Sequence, residues 1–557
     1  MARTRQRPVP VDRERPFSLP ELFFSTTDFK AIIRSGNDVF LRVANYSREE
    51  LVGRNHNVVR HPDMPRSVFE VFWRYLKAKK PIAAFVKNLA SDGHYYWVLA
   101  TTVPLPDGYL SVRMKPTTEY FEAAKKIYKK VKAVEDQIEG GNVRRRKEAI
   151  EAGVQEIVRL LNEAGFPDYD TFMHQALVAE VTTRQAAMDR WDRLTASTDP
   201  AVSMALRACQ NAEHQLDNLV RNLEGFSRLS DELHEKSRFV LGLAEEIRLF
   251  ALNVVLASSR LGGDGAALGA VAEILGRRSD EAEPAIRALN EALDEAVSLI
   301  GVMGFRIALS KLQTEMVSIF LGELRNSGRI NSERAKDLQD LTIALSDGAD
   351  ELRESMRRFE ECLIHVDLKA RDVDSQLRVV RALEVNGRVE GARLEDNQIA
   401  DLFLTIAKQV GQARDELQTF RTLRERSSRG GSSDGDKVRR AMMRACDEVR
   451  GLLSDGKHVT GGDSLEQLET EAQAAALEAA GLDAGRADEA SAGAEPVGGA
   501  GDRAGEPVAR AEGAVAAVHP LPTGAEVGAD AAPDGADAPG ASEALPGEKA
   551  GPSAMAA

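Results

Sequence analysis

The chain has 557 residues, enough for several domains, and is 43% hydrophobic and 29% charged but only 5% aromatic, which suits soluble helical architecture better than a set of large enzyme cores. Its formal net charge of −14 argues against duplex nucleic acid as a partner. Three isolated cysteines, Cys209, Cys362 and Cys446, have neither metal-ligand spacing nor a disulfide framework, as expected in a reducing cytoplasm. Residues 1–17 form an Arg- and Pro-rich arm without the apolar core of a signal peptide and are expected to be disordered. No apolar run reaches the ~20 residues of a membrane span. The nearest, 296–309, carries Arg306 and repeats at helical spacing, so no membrane span and a cytoplasmic location are expected.

Residues 18–118 read as an α+β domain. Apolar or alternating runs at 22–24, 31–33, 83–86, 95–103 and 109–112, broken by Asp92-Gly93 and Asp107-Gly108, predict a small antiparallel sheet with hairpins. Between the early and later strands lies His56-Asn57-Val58-Val59-Arg60-His61-Pro62-Asp63-Met64-Pro65, a loop aimed at a helix that starts near Pro65, with Asp63 as the N-cap candidate. The exposed amides of such a turn can receive an anionic or acceptor-rich edge. Trp73 follows on that helix with Phe69 and Phe72, where it either stacks on a planar ligand or completes an apolar core stripe.

Ser25-Thr26-Thr27-Asp28, Asn37-Asp38-Val39-Phe40, Tyr46-Ser47-Arg48-Glu49-Glu50-Leu51, the loop above, Val86-Lys87-Asn88 and Asp92-Gly93-His94-Tyr95-Tyr96-Trp97-Val98 occur in an order that closely resembles the PAS sensor domain of bacterial aerotaxis receptors. The resemblance implies a PAS fold whose pocket holds FAD, with Asn37, Arg60, His61, Asp63, Trp73 and Asn88 at the positions of the flavin pocket. There are departures. Asn45 and Asn55 stand where the family has glycine and proline. Phe85 stands where it has small residues, so a phenylalanine is expected to fill space that an isoalloxazine needs.

Residues 119–200 predict a charged helical connector interrupted at Gly140-Gly141, at 165–170 and at 195–200. From Leu216 a heptad pattern tightens, breaks at Gly262-Gly263-Asp264-Gly265 and resumes with Leu268 and Leu275, so 201–330 predicts an antiparallel helical hairpin with its tip near 262–265. This hairpin weakly resembles the signalling tip of methyl-accepting chemotaxis receptors at Asn253 and Arg260. The acidic residues expected at Ala257 and Gly263 and the arginine expected at Ala266 are missing. Ordinary kinase control is thereby put in doubt, and no Glu-Glu pair has the small flanks of an adaptation site.

Val385–Arg393 repeats the phrase Leu252–Arg260 at Asn386 and Arg393 and keeps an acid at Glu390, so 331–427 predicts a second hairpin with its tip near 394–398. Internal duplication and chance likeness within Ala/Arg/Glu-rich helices explain the repeat equally well. Residues 428–557 read as a low-complexity, mostly disordered tail with a Ser/Gly linker at 427–435 and one short amphipathic helix at 437–453. The near phosphate-loop at 451–458 lacks its terminal Ser/Thr and a preceding strand, and no catalytic or metal constellation appears, so no enzyme is expected.

The fold expected is thus an α+β PAS domain followed by mainly α-helical bundle or coiled-coil hairpins and a disordered tail. The function expected is a chemoreceptor-like signal-transduction protein that senses redox state or a small ligand in chemotaxis or aerotaxis. A parallel homodimer is expected, because one hairpin cannot cover its own apolar stripe, with a chemotaxis histidine kinase and coupling protein as the partners the resemblance implies. The rival from a different class is a cofactor-free interaction scaffold.

Overall fold

A computed structural model describes residues 7–188, 200–327, 331–394, 397–428 and 431–454. The tail beyond 454, the first six residues of the arm and positions 395 and 396 of the second tip lie outside the described residues. Strands β1 (Phe23–Thr27), β2 (Ile33–Gly36), β3 (Ile82–Leu89), β4 (Tyr95–Leu105) and β5 (Gly108–Met114) form one antiparallel sheet in the order β2-β1-β5-β4-β3. The Asp92-Gly93 turn closes the β3–β4 hairpin with Gly93 at φ 89°, which favours a residue without Cβ.

Because side chains alternate across a strand, the pairings Phe23↔Arg113, Ser25↔Ser111, Ala84↔Ala100 and Asn88↔Tyr96 place those residues on one face. Phe24↔Val112 and Phe85↔Leu99 lie on the other. The first face is covered by helices α1 (Asp38–Ala44), α2 (Arg48–Leu51) and α3 (Arg66–Lys77) and the 3₁₀ turn His56–Val59. Here Phe40 stacks on Phe23 at 5.9 Å and Trp73 meets Tyr109 edge-on at 5.5 Å.

Phe85 therefore does not occupy the space between sheet and helices, contrary to expectation. It points outward and packs on Phe121 and Phe172 at 5.7 and 6.3 Å, and the inward position beside it is the small Ala84. Both faces of the sheet are covered, which is why β1 and β5 are buried along their whole lengths rather than alternately.

The connector consists of α4 (Glu119–Glu139), α5 (Arg146–Glu163) and α6 (Tyr169–Met188), with Gly140 and Gly141 at positive φ between the first two. It folds back on the domain. α5 packs on α3, and the Tyr169 hydroxyl donates to the Ala83 carbonyl at 3.0 Å, so α6 lies against β3.

Helices α7 (Pro200–Arg260) and α8 (Ala266–Ser327) run antiparallel about the 3₁₀ turn Gly262–Gly265. α9 (Ser332–Arg393) returns along α8, with the Cys362 thiol against the Ala292 carbonyl at 3.7 Å. α10 (Asn397–Ser428) and α11 (Gly431–Ser454) follow one another back along α9, as the Arg414–Asp374 and Arg353–Asp436 ion pairs show, both at 2.8 Å.

The result is an up-down-up-down four-helix bundle in one chain. α7 and α9 stand at opposite corners, each flanked by α8 and the α10–α11 arm. The apolar stripe expected to require a second chain is met by the second hairpin of the same chain. The Ser/Gly stretch expected as a linker is helical from Gly431, because Val438, Met442, Ala445 and Val449 bury against the bundle; tertiary burial outweighs the poor helix propensity of the stretch.

Candidate functional site

The loop that precedes α3 is built by local side-chain caps. Asn55 accepts from the Asn57 amide at 3.1 Å and starts the 3₁₀ turn, a task its carboxamide performs where proline was expected. Asn45, at φ 57°, ends α1 in the left-handed conformation that asparagine tolerates, which accounts for its standing where the family has glycine.

Asp63 does not cap α3. Pro65 holds the cap position without a side-chain bond, and the exposed amides of Arg66 and Ser67 are taken by the Glu135 carboxylate of α4, at 2.9 and 2.7 Å. The acceptor expected at this helix N-terminus is thus the chain's own. Asp63 lies at the surface and pairs with the Lys87 ammonium at 2.7 Å, which holds its carboxyl below the usual range against a partial desolvation that raises it.

The structure brings Arg60, His61, Asp63 and Asn88 together. A backbone bridge ties Arg60 to Asn88, and the His61 amide donates to the Lys87 carbonyl at 3.3 Å. Arg60 donates to the Met64 carbonyl at 3.0 Å and lies over the Phe69 ring at 4.2 Å. Burial, then the nearby Arg66, lowers its pKa to about 10. His61 is buried with its Nδ1 accepting from the Asp63 amide at 3.2 Å, and desolvation pulls its pKa down.

Of these four only Arg60 lines the cleft of about 990 Å³ between the loop and the end of α4, together with Arg54, Asn57, Arg66, Lys132 and Glu135 among others. Trp73 and Asn37 do not join it. Trp73 faces Tyr109 at the far end of the sheet, whereas Asn37 caps α1 and donates from Nδ2 to Glu323 of α8 at 2.9 Å.

A second set escaped sequence reasoning. Fully buried between sheet and helices, Arg113 donates from Nη2 to Nε2 of His56 at 2.9 Å and from Nη1 to the Ser111 carbonyl at 3.3 Å, with its guanidinium 5.4 Å from the Phe40 ring centre. Ser25 Oγ is 3.4 Å from the same His56 nitrogen. Burial, and then Arg113, drives the His56 pKa to about 3, so the imidazole is neutral and acts as the acceptor. Burial lowers Arg113 itself to about 10, and the buried Tyr96 hydroxyl has no hydrogen-bond partner among the described residues.

Among the described residues no carboxylate pairs with this guanidinium. The arrangement can take an electron-rich acceptor that approaches Arg113 and Tyr96. The available signal was polar residues at 109, 111 and 113, alternating along a strand whose two faces are both covered.

The outer face of the same sheet is the seat of the bundle. Phe24 meets Phe320 edge-on at 5.1 Å, Arg48 pairs with Glu333 at 2.5 Å, and the Ser35 hydroxyl bonds Asp337 of α9. The predicted tip residues stand at the other end of the bundle. Asn253, Arg260, Asn386 and Arg393 are exposed, and half-buried Glu390 pairs with Arg393 at 3.2 Å. Among the described residues no His/Cys/Asp/Glu group is arranged for a metal, and no helix is long and apolar enough to cross a membrane.

Residues 34–112 match a family model described as the PAS fold. Over 131 residues the chain is 37% identical to the "Aerotaxis receptor" of Escherichia coli (strain K12), covering 23% of this chain and 26% of that protein. Over 88 residues it is 31% identical to the "Nitrogen fixation regulatory protein" of Klebsiella pneumoniae, covering 15% of this chain and 18% of that one. The chain therefore spans about a quarter or less of the length of these relatives. The light-state structure of the blue-light photoreceptor Aureochrome1 LOV is 21% identical, covering 18% of this chain and 88% of that chain at a TM-score of 0.18. The α+β domain is a PAS sensor domain over residues 34–112, and a mainly helical region follows it.

Proposed function

We propose that this chain, with a PAS domain over 34–112 seated on a four-helix bundle, is a cytoplasmic chemoreceptor-like signal-transduction protein that senses redox state or a small ligand, in chemotaxis or aerotaxis, and catalyses no reaction. The receptor relative and the PAS match support a sensory role. One observation carries the reading. The buried Arg113, neutral His56 and unpartnered Tyr96 hydroxyl form a polar set suited to an acceptor-rich ligand, on a sheet whose opposite face holds the bundle.

FAD is the ligand class proposed for this space. Inward Ala84 and Ala100 present only methyl groups on the sheet face, Arg113 and Tyr96 would supply donors, and a cleft lined by Arg60 lies at the loop that carries His56. A bound flavin supplies a reversible electron store. Arg113 and Tyr96 would hold its acceptor edge, and negative charge gained there would draw the guanidinium away from His56. The shift travels along β5 and across the sheet through Ser25 and Phe24 to Phe320, and through Asn37 to Glu323. Association of two copies, and engagement of a chemotaxis histidine kinase and coupling protein by the bundle tip, complete the reading.

The purified full chain should be yellow, and its visible absorbance should bleach on chemical reduction while amide exchange in β2 and at the start of α9 changes. A colourless protein that takes up no flavin on reconstitution would favour a cofactor-free PAS scaffold. The closely packed seat of the sheet on the bundle is the feature that supports that second reading.

A further inference from the structure

Charge is divided unevenly along this chain. Residues 455–557 contain 19 acidic and 5 basic residues, so they carry the whole net charge of −14 and the body up to Ser454 is neutral. Their most one-sided stretch is 458–485, which has Asp463, Glu466, Glu469, Glu471, Glu478 and Asp483 and neither lysine nor arginine. A neutral body still presents a positive site wherever its own charges segregate.

The cleft between the loop and the end of α4 is such a site. Six cations line it, Arg7, Arg54, Arg60, Arg66, Lys132 and Arg146, against three carboxylates that all come from the last turns of α4. Those three are already engaged. Glu139 pairs with Arg66 and, at 3.2 Å, with Arg146; Asp136 pairs with Lys132, and Glu135 takes the amides of α3. Arg7, Arg54 and Arg60 form no ion pair among the described residues, and exposed Arg54 has no side-chain hydrogen bond there either. Arg7 donates to the Arg60 carbonyl at 2.5 Å, which brings the N-terminal arm to the rim. After burial, the push of Arg66 on the Arg60 guanidinium outweighs the pull of Glu135, so the field at that group is positive.

We propose that the acidic stretch 463–478 of the chain's own C-terminal tail docks in this cleft, its carboxylates meeting Arg7, Arg54 and Arg60. Position argues for this occupant. α11 runs toward the start of α9 through the Arg439–Asp350, Met443–Ser346 and Cys446–Thr342 contacts, so Ser454 ends about level with Glu333 and Arg334. Glu333 pairs with Arg48, and the six residues of chain from Arg48 to Arg54 span at most ~20 Å. The eight residues 455–462 reach up to ~27 Å, which is enough to bring Asp463 to the cleft. Tethered so near, the stretch has an effective concentration in the millimolar range, which a free acidic partner does not match. Each exposed pair contributes no more than ~1 kcal/mol, so docking needs several at once and weakens with salt. The docked tail supplies the negative charge that α4 leaves short, and so restrains loop, arm and connector together where the sensor domain meets α4.

Carbodiimide cross-linking of the full chain carrying Arg54→Lys tests the contact, because that variant keeps the charge and places an amine in the cleft. Peptide mass spectrometry should find isopeptide bonds from Glu466, Glu469 and Glu471 to position 54 severalfold more often than to exposed Lys77 and Lys79 at the end of α3, which report chance encounters. A mixture of isotopically light and heavy protein should place these bonds within one chain. Their yield should fall severalfold in ~0.5 M salt, where the screening length is roughly 4 Å. Adding Arg7→Glu, which alters an exposed residue of the arm, should lower it as well. Bonds spread evenly over position 54, Lys77 and Lys79 would overturn the proposal, as would bonds indifferent to both salt and Arg7→Glu. Bonds found only between chains would make the occupant the tail of a second copy and overturn it too. If inorganic pyrophosphate binds in calorimetry while no tail bond forms, the cleft takes a free anion and the tail contact falls.

Discussion

At the scale of single residues, the seat of the PAS sheet on the bundle is the part most exposed to chemistry. Asp337 of α9 is buried under β2, where desolvation raises its pKa to about 7; Asp340 and Glu333 push in the same direction, while the Ser35 hydroxyl and Arg48 oppose. One of its oxygens has no hydrogen-bond partner among the described residues, as suits a carboxyl that keeps a proton. A carboxyl whose folded pKa lies above its unfolded value contributes stability that is full below the unfolded value and lost as pH rises through the folded one. The contact between β2 and α9 should therefore loosen as pH rises through about 7, read as faster amide exchange in both elements. Asp337→Asn should remove that step. A second test at this scale concerns Gly387. Gly387→Val alone should destabilise the bundle by roughly 1–3 kcal/mol through overpacking against Phe403. A Cβ at Gly387 would meet the Phe403 ring at 2.1 Å, so adding Phe403→Leu should recover part of the loss in thermal melts while giving up the Phe403–Phe250 ring contact.

At the scale of elements, α3 depends on α4 for its first turn. The amides that a side-chain N-cap would satisfy are taken by buried Glu135, so Glu135→Ala should cost about 1–3 kcal/mol, because it leaves buried donors unmatched. Exchange of the Arg66 and Ser67 amides should speed up well before global unfolding, whereas Glu135→Gln, which keeps one acceptor, should lose less. Asp63 looked like the cap because aspartate just before a helix usually is one. What the sequence could not reveal is that a helix some seventy residues further on delivers the carboxylate. The strands were legible because apolar runs ended at Asp92-Gly93 and Asp107-Gly108, turns whose backbone demands are local. The direction in which Phe85 points was not. The runs on β3 and β4 are apolar on both faces, and only the register Phe85↔Leu99 separates inside from outside. Of the six positions the resemblance named, Arg60, His61, Asp63 and Asn88 lie on one loop and the strand beside it, while Asn37 and Trp73 stand apart. The buried set of Arg113, His56 and Tyr96 needed the fold to reveal it.

At the scale of the whole molecule, the second hairpin decides what one chain can do alone. A heptad pattern shows that an apolar stripe must be covered, but not by which chain; α9, α10 and α11 cover it from within. The bundle core therefore needs no second copy, and association is left to outer surfaces. Exposed Glu246 on α7 bonds Gln409 on α10, which joins the first hairpin to the second at the surface, away from the three buried native cysteines. In a Glu246→Cys, Gln409→Cys variant, mild oxidation should close a disulfide within one chain. Denaturing electrophoresis should then show a faster-running monomer at every protein concentration, since an intramolecular link does not depend on encounter. A covalent dimer that increases with concentration would mean that the hairpins exchange between chains, and that the four-helix bundle belongs to two molecules rather than one.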